Sequence, residues 1–473
     1  MYFVECGRHL AAGYVDHPPL VPLVARVACA LGDCGVGALR LGPLVARVVT
    51  VALTVLLVRR LGGKGFAQWI AGLAVILAPA FLRMGKILCI PVFEPVFWTG
   101  GTLLLLDIAR GASPRLWLAV GAIAGAGLLN KHTMLVWGLG AAVGAIVVAE
   151  LRATLRTRWP WLGAALAIAM TMPNVVWQAQ NDFATVEFLR QAQAGMLAQI
   201  PRVLFLSGQL LYMHPFAALL WIPALWVAAT RAEPAGRIFG AIFAFGLVTF
   251  LVTRGKPYYL APAYPPLFAL GAVLWERRLQ GVGSRLALVL AQVATGVATA
   301  VLTLPYLPLP TIDAKVGQLF GKVVPPIALT HDLHDEYGWR EQAESVARVW
   351  RSLGEDERAR AEIVTGNYGE AGALNRFGAV HQLPRASSGH MTHFLWGPTN
   401  PRADTLVAVG LPTGWLRAHC TERREVARLD HPLATPAEQR VPIVVCRLSR
   451  PIGELWLGLE RFEHGVATFE PGP

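Results

Sequence analysis

Three short stretches of this 473-residue sequence carry cations where apolar sequence turns back on itself. They are "RMGKILCIPVFEP" with Arg83 and Lys86, "LLNKHTML" with Lys131 and His132, and "TRGKPYYLAPAYP" with Arg254 and Lys256. Cations brought together from separate hairpins make a seat for a phosphate or diphosphate, because each adds a charge-assisted contact. Arg254 can fork around two oxygens, whereas the lysines act as point charges. Tyr258 and Tyr259 either line the mouth of such a seat or belong to an interfacial aromatic belt. Two acidic positions stand against these cations. Asp16–His17 in "GYVDHPPL" precedes Pro18 and Pro19, which hold the pair extended. Glu94 lies between Pro91 and Pro95. A carboxylate there can orient or deprotonate an attacking hydroxyl. Asp16 with His17 also offers a start for a divalent metal, or simply a helix-entry turn; no ligand set of diagnostic spacing accompanies it, and no cofactor is specified.

The elements that must position these residues are membrane spans. The chain is 54% hydrophobic and only 15% charged, where a soluble domain carries nearer a quarter charged residues. Its apolar blocks run about 18–20 residues, enough to cross the hydrocarbon layer. They fall near 38–58, 67–86, 92–109, 115–130, 133–150, 160–177, 203–229, 237–253, 259–276 and 285–305. After Pro305 charge rises and long apolar runs stop. The expected organisation is an external juxtamembrane segment over 1–37, an all-α polytopic bundle over 38–306, and a soluble α/β domain over 307–473. The net charge of +12 fits Arg-rich cytoplasmic loops and needs no nucleic acid.

Alternate loops form two sets. "RRLGGKG" (59–65), "ARGASPR" (109–115), "ELRATLRTRW" (150–159), "TRAEPAGR" (230–237) and "ERRLQGVGSR" (276–285) are rich in Lys and Arg and are assigned to the cytoplasm. The opposite set is then external: 1–37, the turns near 86–94, 130–133 and 254–258, the loop 178–202, and the C-terminal domain. The outer acids are few: Glu5, Asp16, Asp33, Glu94, Asp182 and Glu187. Arg40 and Arg47 fall within the outer half of the first span, where an arginine faces protein or a water-filled cavity rather than lipid. That first span runs from outside to inside, so the expectation is an external start or a further span before Met1.

"GYVDHPPL", "LLNKHTML", "KPYYLAPAYP" and "NYGEAGAL" (367–374), in this order, resemble bacterial family 39 members of the C-type glycosyltransferase superfamily. These are the dolichyl-phosphate-mannose protein mannosyltransferase-like enzymes; aminoarabinose lipid A transferases are more distant relatives. The resemblance implies transfer of a sugar from a polyprenyl-phosphate donor to an acceptor hydroxyl outside the cytoplasmic (inner) membrane. It implies that Lys86, Lys131, Arg254 and Lys256, with Tyr258 and Tyr259, hold the donor phosphate. The implied acid is an Asp-Glu pair just before the stretch that here reads "ECGRHL", which would put it upstream of Met1. On that reading the first span and its acid are missing, and Asp16, with His17 and Glu94, supplies the candidates present. Activity of this chain then depends on whether Asp16 or Glu5 takes the missing role. Protein, lipid and glycan acceptors all stay open, as does the sugar. A transporter or flippase of lipid-linked sugars, or an inactive accessory membrane protein, are the alternatives; a transporter should carry its polar groups near mid-membrane.

In the soluble region "GWREQAESVARVWRSLG" (338–354) has the pattern of an amphipathic helix and 360–378 that of strand, loop and helix. The glycines of "GNYGEAG" are read as structural, and the histidines of "SSGHMTHFLWG" as solvent-exposed. Cys420 and Cys446 are the only cysteines there, and an external compartment favours a bridge between them. Cys6, Cys29, Cys34 and Cys89 are read as ordinary small residues.

Overall fold

The computed structural model describes residues 1–195, 201–231, 233–322 and 326–462. Parts of the expected outer loop (196–200), of the 230–237 loop (232) and of the soluble region (323–325 and 463–473) lie outside the described residues.

Every apolar block forms helix, but not every block forms one straight helix. Among the described residues five helices are long and apolar enough to cross a membrane: Val36–Arg60, Ile90–Ala109, Trp159–Gln180, Pro234–Val252 and Val282–Val301. Two expected spans are bent pairs. The 67–86 block breaks by 59° between Gly65–Leu77 and Pro79–Gly85. Pro79 has no N–H to continue the ladder and holds Ala78 extended at φ −63°, ψ 124°. The 203–229 block turns through 90° between Arg202–Tyr212 and Pro215–Thr230. His214, at φ 75° before Pro215, makes that corner. The 115–130 and 133–150 blocks are shorter helices, Leu116–Leu128 and Met134–Val147, and 259–276 is a 3-10 turn, Pro257–Ala263, running into Tyr264–Arg278.

Ile90–Ala109 is the most enclosed of the five long helices, 72% buried, and Val282–Val301 the most open, 11% buried. Close approach elsewhere depends on glycine. A Cβ on Gly121 would lie 2.0 Å from the Gly163 carbonyl oxygen, so Leu116–Leu128 and Trp159–Gln180 meet backbone to backbone. At one end of the bundle the Arg-rich turns gather. Arg60 pairs with Asp107 at 2.9 Å, and Glu276 accepts from the Lys64 backbone N–H at 2.6 Å. The turns carrying Arg83, Lys86, Lys131 and Lys256 lie at the other end, with the C-terminal domain.

That domain is a 5-stranded sheet in the order β2-β1-β3-β5-β4. The strands are β1 Ala361–Thr365, β2 Ser387–Ser388, β3 Thr405–Val409, β4 Cys420–Arg428 and β5 Pro442–Leu448. β1 runs parallel to β2 and β3, while β5 is antiparallel to β3 and β4. The amphipathic pattern at 338–354 is the helix Trp339–Ser352, which buries Ala343, Val346 and Val349 against the sheet core. "GNYGEAG" is a capping box: the Asn367 side chain accepts from the N–H groups of Gly369 and Glu370, and Glu370 accepts from the Asn367 N–H. Cys420 and Cys446 are bridged across β4 and β5 with Cα atoms 5.7 Å apart. A second bridge, Cys29–Cys34, joins two residues that the sequence reading left as ordinary small residues. The histidines of 387–397 are not exposed: His390 is 4% and His393 3% accessible. The first residues of the chain cover His393, and Tyr368 packs on His390. Tyr2 donates to Thr392 Oγ1 at 2.9 Å, and Glu5 holds Arg385 at 2.5 Å and Asn375 at 3.0 Å. Burial, then the charges of Arg385 and His9, pull the His393 pKa down to about 3. Glu5 is thus an anchor between segments and is not placed as a base.

Glu370 and Glu438 share one buried spot on this domain. Burial pushes the Glu438 carboxyl up to about 7, and burial with the neighbouring Glu438 raises Glu370. Both are raised above the unfolded value of 4.5. Their contribution to stability is therefore full below pH 4.5 and is lost as pH rises through about 7. Thermal unfolding of the chain followed from pH 5 to 8 is expected to fall across that window. Glu438→Gln is expected to flatten the fall by up to about 3 kcal/mol, at 1.36 kcal/mol per pKa unit.

Candidate functional site

Glu94 sits in the first turn of the helix Glu94–Ala109, entered through the Pro91 turn, with Pro95 in its first turn. A helix N-terminus favours a carboxylate there. Lys131 comes from the break between Leu116–Leu128 and Met134–Val147. Asn130, fully buried, donates to the Ile90 carbonyl at 3.2 Å and so pins that break to the Pro91 turn. The result is a buried ion pair. Lys131 Nζ lies 2.8 Å from Glu94 Oε2, and Thr133 donates to Glu94 Oε1. Glu94 is 3% and Lys131 18% exposed.

The "KPYYLAPAYP" loop closes over this pair. Lys131 Nζ is 4.2 Å from the centre of the Tyr259 ring and 5.9 Å from that of Tyr258. Such cation–π contacts leave the ammonium its N–H bonds for a ligand. The loop is held by Gln209, whose amide donates to the Pro257 carbonyl at 3.1 Å and whose Oε1 accepts from Tyr264 at 3.0 Å. Lys256 stands beside Lys131. Burial lowers the Lys256 pKa, and the charge of Lys131 lowers it further. Among the described residues no carboxylate lies within ion-pair distance of Lys256. Of these two neighbouring ammonium groups only Lys131 is matched by a carboxylate, and the surplus positive charge is poised for an anion.

The other predicted site residues are placed differently. Lys86 pairs with Glu336 at 2.7 Å and lies 3.9 Å from Asp332, and Arg83 pairs with Asp332. Both cations therefore face the segment that follows the soluble-region helix Pro326–His334 or its last turn. Burial and then the charges of Arg83, His334 and Lys256 lower the His331 pKa, which sets this interface beside the Lys256 cluster. Arg254 takes a left-handed conformation, φ 51°, at the start of the loop. Asp16 and His17 lie against the first helix. Asp16 Oδ1 accepts from Tyr2 at 2.7 Å. His17 is 1% exposed, with Nδ1 2.9 Å from the Pro18 carbonyl and Nε2 3.8 Å from both Cys6 Sγ and Asp16 Oδ1. Asp16 is the more accessible of the two, at 10%. Among the described residues no three His, Cys, Asp or Glu side chains converge as metal ligands. Arg47 donates to the Ile76 carbonyl at 3.2 Å and lies over the Phe81 ring, facing protein.

Sequence reasoning passed over Thr133, although it follows Lys131 and His132 in the same motif. It also passed over Gln209, Asp332 and Glu336. The acids of "HDLHDE" (331–336) were a signal, because cations without nearby acids need partners from elsewhere.

A family model described as dolichyl-phosphate-mannose-protein mannosyltransferase matches residues 16–177. In three dimensions the chain is similar to ArnT from Cupriavidus metallidurans. The ArnT crystal structure bound to undecaprenyl phosphate gives a TM-score of 0.60 at 18% identity, over 95% of this chain and 92% of that one. The apo structure gives 0.59 at 17% identity, over 94% and 92%. The likeness shows an ArnT-like fold. Among curated proteins none matches the sequence. The part matched by the family model contains Asp16, His17, Lys86, Glu94 and Lys131. The likeness to ArnT in three dimensions takes in 95% of the chain.

Proposed function

We propose that this chain is a membrane glycosyltransferase that moves a sugar from a polyprenyl-phosphate donor to an acceptor hydroxyl on the external face of the inner membrane. One observation carries the reading: Lys256, desolvated and without an acidic partner among the described residues, stands beside the Lys131–Glu94 pair at the soluble-domain end of an apolar bundle. The family match and the ArnT likeness supply the donor class, since the related structure holds undecaprenyl phosphate.

The chemistry follows from charge. As the bond from the anomeric carbon to the phosphate oxygen breaks, negative charge grows on the leaving phosphate. Lys256 and Lys131 are preorganised to meet it. Glu94 and Thr133 hold Lys131 in place, so Glu94 is a positioning residue. The acceptor oxygen forms the new bond to the anomeric carbon, its proton passes to a carboxylate, and polyprenyl phosphate leaves. Asp16 is the carboxylate of this chain assigned to that proton. Tyr258 and Tyr259 wall the seat and exclude water from it.

The test is transfer in vesicles. Purified protein is reconstituted with a radiolabelled sugar on polyprenyl phosphate and bacterial envelope acceptors. Label is expected to leave the donor and appear in an acceptor fraction. Folded protein that removes label from none of a panel of lipid-linked sugars would overturn the reading.

A further inference from the structure

The sheet domain has a cavity of about 330 Å³ between the helix Trp339–Ser352 and the β4–β5 side. That is near the small end of ligand sites, which start at about 300 Å³. Trp339 and Tyr337 line it with aromatic rings. Two polar atoms in its lining are buried without a partner. Gln342 is 2% exposed and its Oε1 accepts nothing; Glu438 Oε2 is likewise unmatched. A buried acceptor left unpaired is costly, so each is suited to a donor that the folded chain does not supply.

The charge of the lining narrows the ligand. Glu341, Glu344 and Asp430, with the half-neutralised Glu438, line it together with two guanidiniums, Arg348 and Arg428, and His431, 3.9 Å from Glu341. Arg428 is already clamped by Glu425 through two bonds of 2.8 Å. The excess of carboxylates disfavours a phosphate or carboxylate. Arg348 disfavours a polycation and offers donors that only a ligand with its own acceptors can use. Groups that donate and accept at once, on a small body with an apolar face, are the hydroxyls of a sugar ring. The ring's C–H face packs on Trp339, as apolar faces do on aromatic side chains. We infer that this cavity is a sugar-binding site of the soluble domain, with Gln342 Oε1 and Glu438 Oε2 accepting from sugar hydroxyls and Arg348 donating to one.

Its position suits a glycan that must also reach the cation cluster. Glu336 pairs with Lys86, and the next residue, Tyr337, lines the cavity. Use of the cavity as a seat for the acceptor's glycan rests on the transfer reading above; sugar binding itself does not.

The experiment is saturation-transfer NMR on the full chain in lipid nanodiscs, free of sugar-based detergent. Glucose, galactose, mannose and glucosamine are offered one at a time, with spermidine as the cationic comparison. At least one sugar is expected to receive saturation, and Gln342→Leu is expected to weaken its binding at least tenfold. If Gln342→Leu fails to fold, Glu344→Ala at the exposed rim takes its place, with an expected loss of threefold or more. No sugar bound, spermidine bound in preference, or sugar binding unchanged in the folded variants would each overturn the proposal. Because no transfer is measured, failure here leaves the glycosyltransferase reading standing, and failure of transfer leaves this one.

Discussion

Lys256→Ala is expected to lower sugar transfer in vesicles by about 100–1000-fold, the loss seen when one donor to a developing oxyanion is removed. The same change is expected to leave the unfolding temperature unchanged or raise it. Lys256 is desolvated beside a second ammonium and gains no ion pair among the described residues, so its charge opposes folding. A residue that harms stability where it stands is best understood through function. Lys86 gives the contrast. It is bonded to Glu336, so Lys86→Ala should loosen the domain interface while reducing transfer less than tenfold. Equal losses in the two variants would remove Lys256 from the phosphate seat.

The second large effect concerns the Lys131–Glu94 pair. Removing one partner of a buried pair strands a charge and costs about 3–5 kcal/mol. Glu94→Gln is therefore expected to lower stability strongly, because it would leave Lys131 buried beside Lys256 without its own carboxylate. Lys131→Met should strand Glu94 in the same way. The double variant Glu94→Gln/Lys131→Met should regain most of the lost stability, since a neutral pair of similar volume is often tolerated. Transfer should not return with it. Measuring unfolding and transfer on the four proteins separates the two roles: recovery of both would make the pair structural, and recovery of stability alone makes Lys131 part of the donor site.

Much of the bundle was legible before any coordinates. Each apolar block became helix, and the Arg-rich turns at 59–65, 109–115 and 276–285 collect at one end. The two bends had local signals that periodicity hides: Pro79 and Pro215 each interrupt a ladder inside an apolar run. The capping box at Asn367 was also local, four residues with an acid at the right offset. What stayed out of reach was pairing. Glu94 and Lys131 each stood out, but their bond joins residues 37 positions apart. Lys86 also stood out, but the Glu336 that it bonds lies 250 positions away. The buried state of His393 depends on Tyr2 and its neighbours arriving from the far end of the chain. Side-chain chemistry shows in sequence; which charge another chain segment will neutralise does not.

The mounting of the sheet domain has a mechanical consequence. It is bolted to the bundle end at two stations, the opening helix through Glu5 with Arg385 and Asn375, and the 332–336 segment through Asp332 and Glu336 with Arg83 and Lys86. One bolt would leave a swivel; two remove most of the torsional freedom. Whatever the domain grips is therefore presented at a set bearing to the cluster of ammonium groups below it. The second station is built of ion pairs near solvent, which added electrolyte weakens over a Debye length of about 8–10 Å. Ionic strength thus becomes the natural dial for how stiffly the cap is seated.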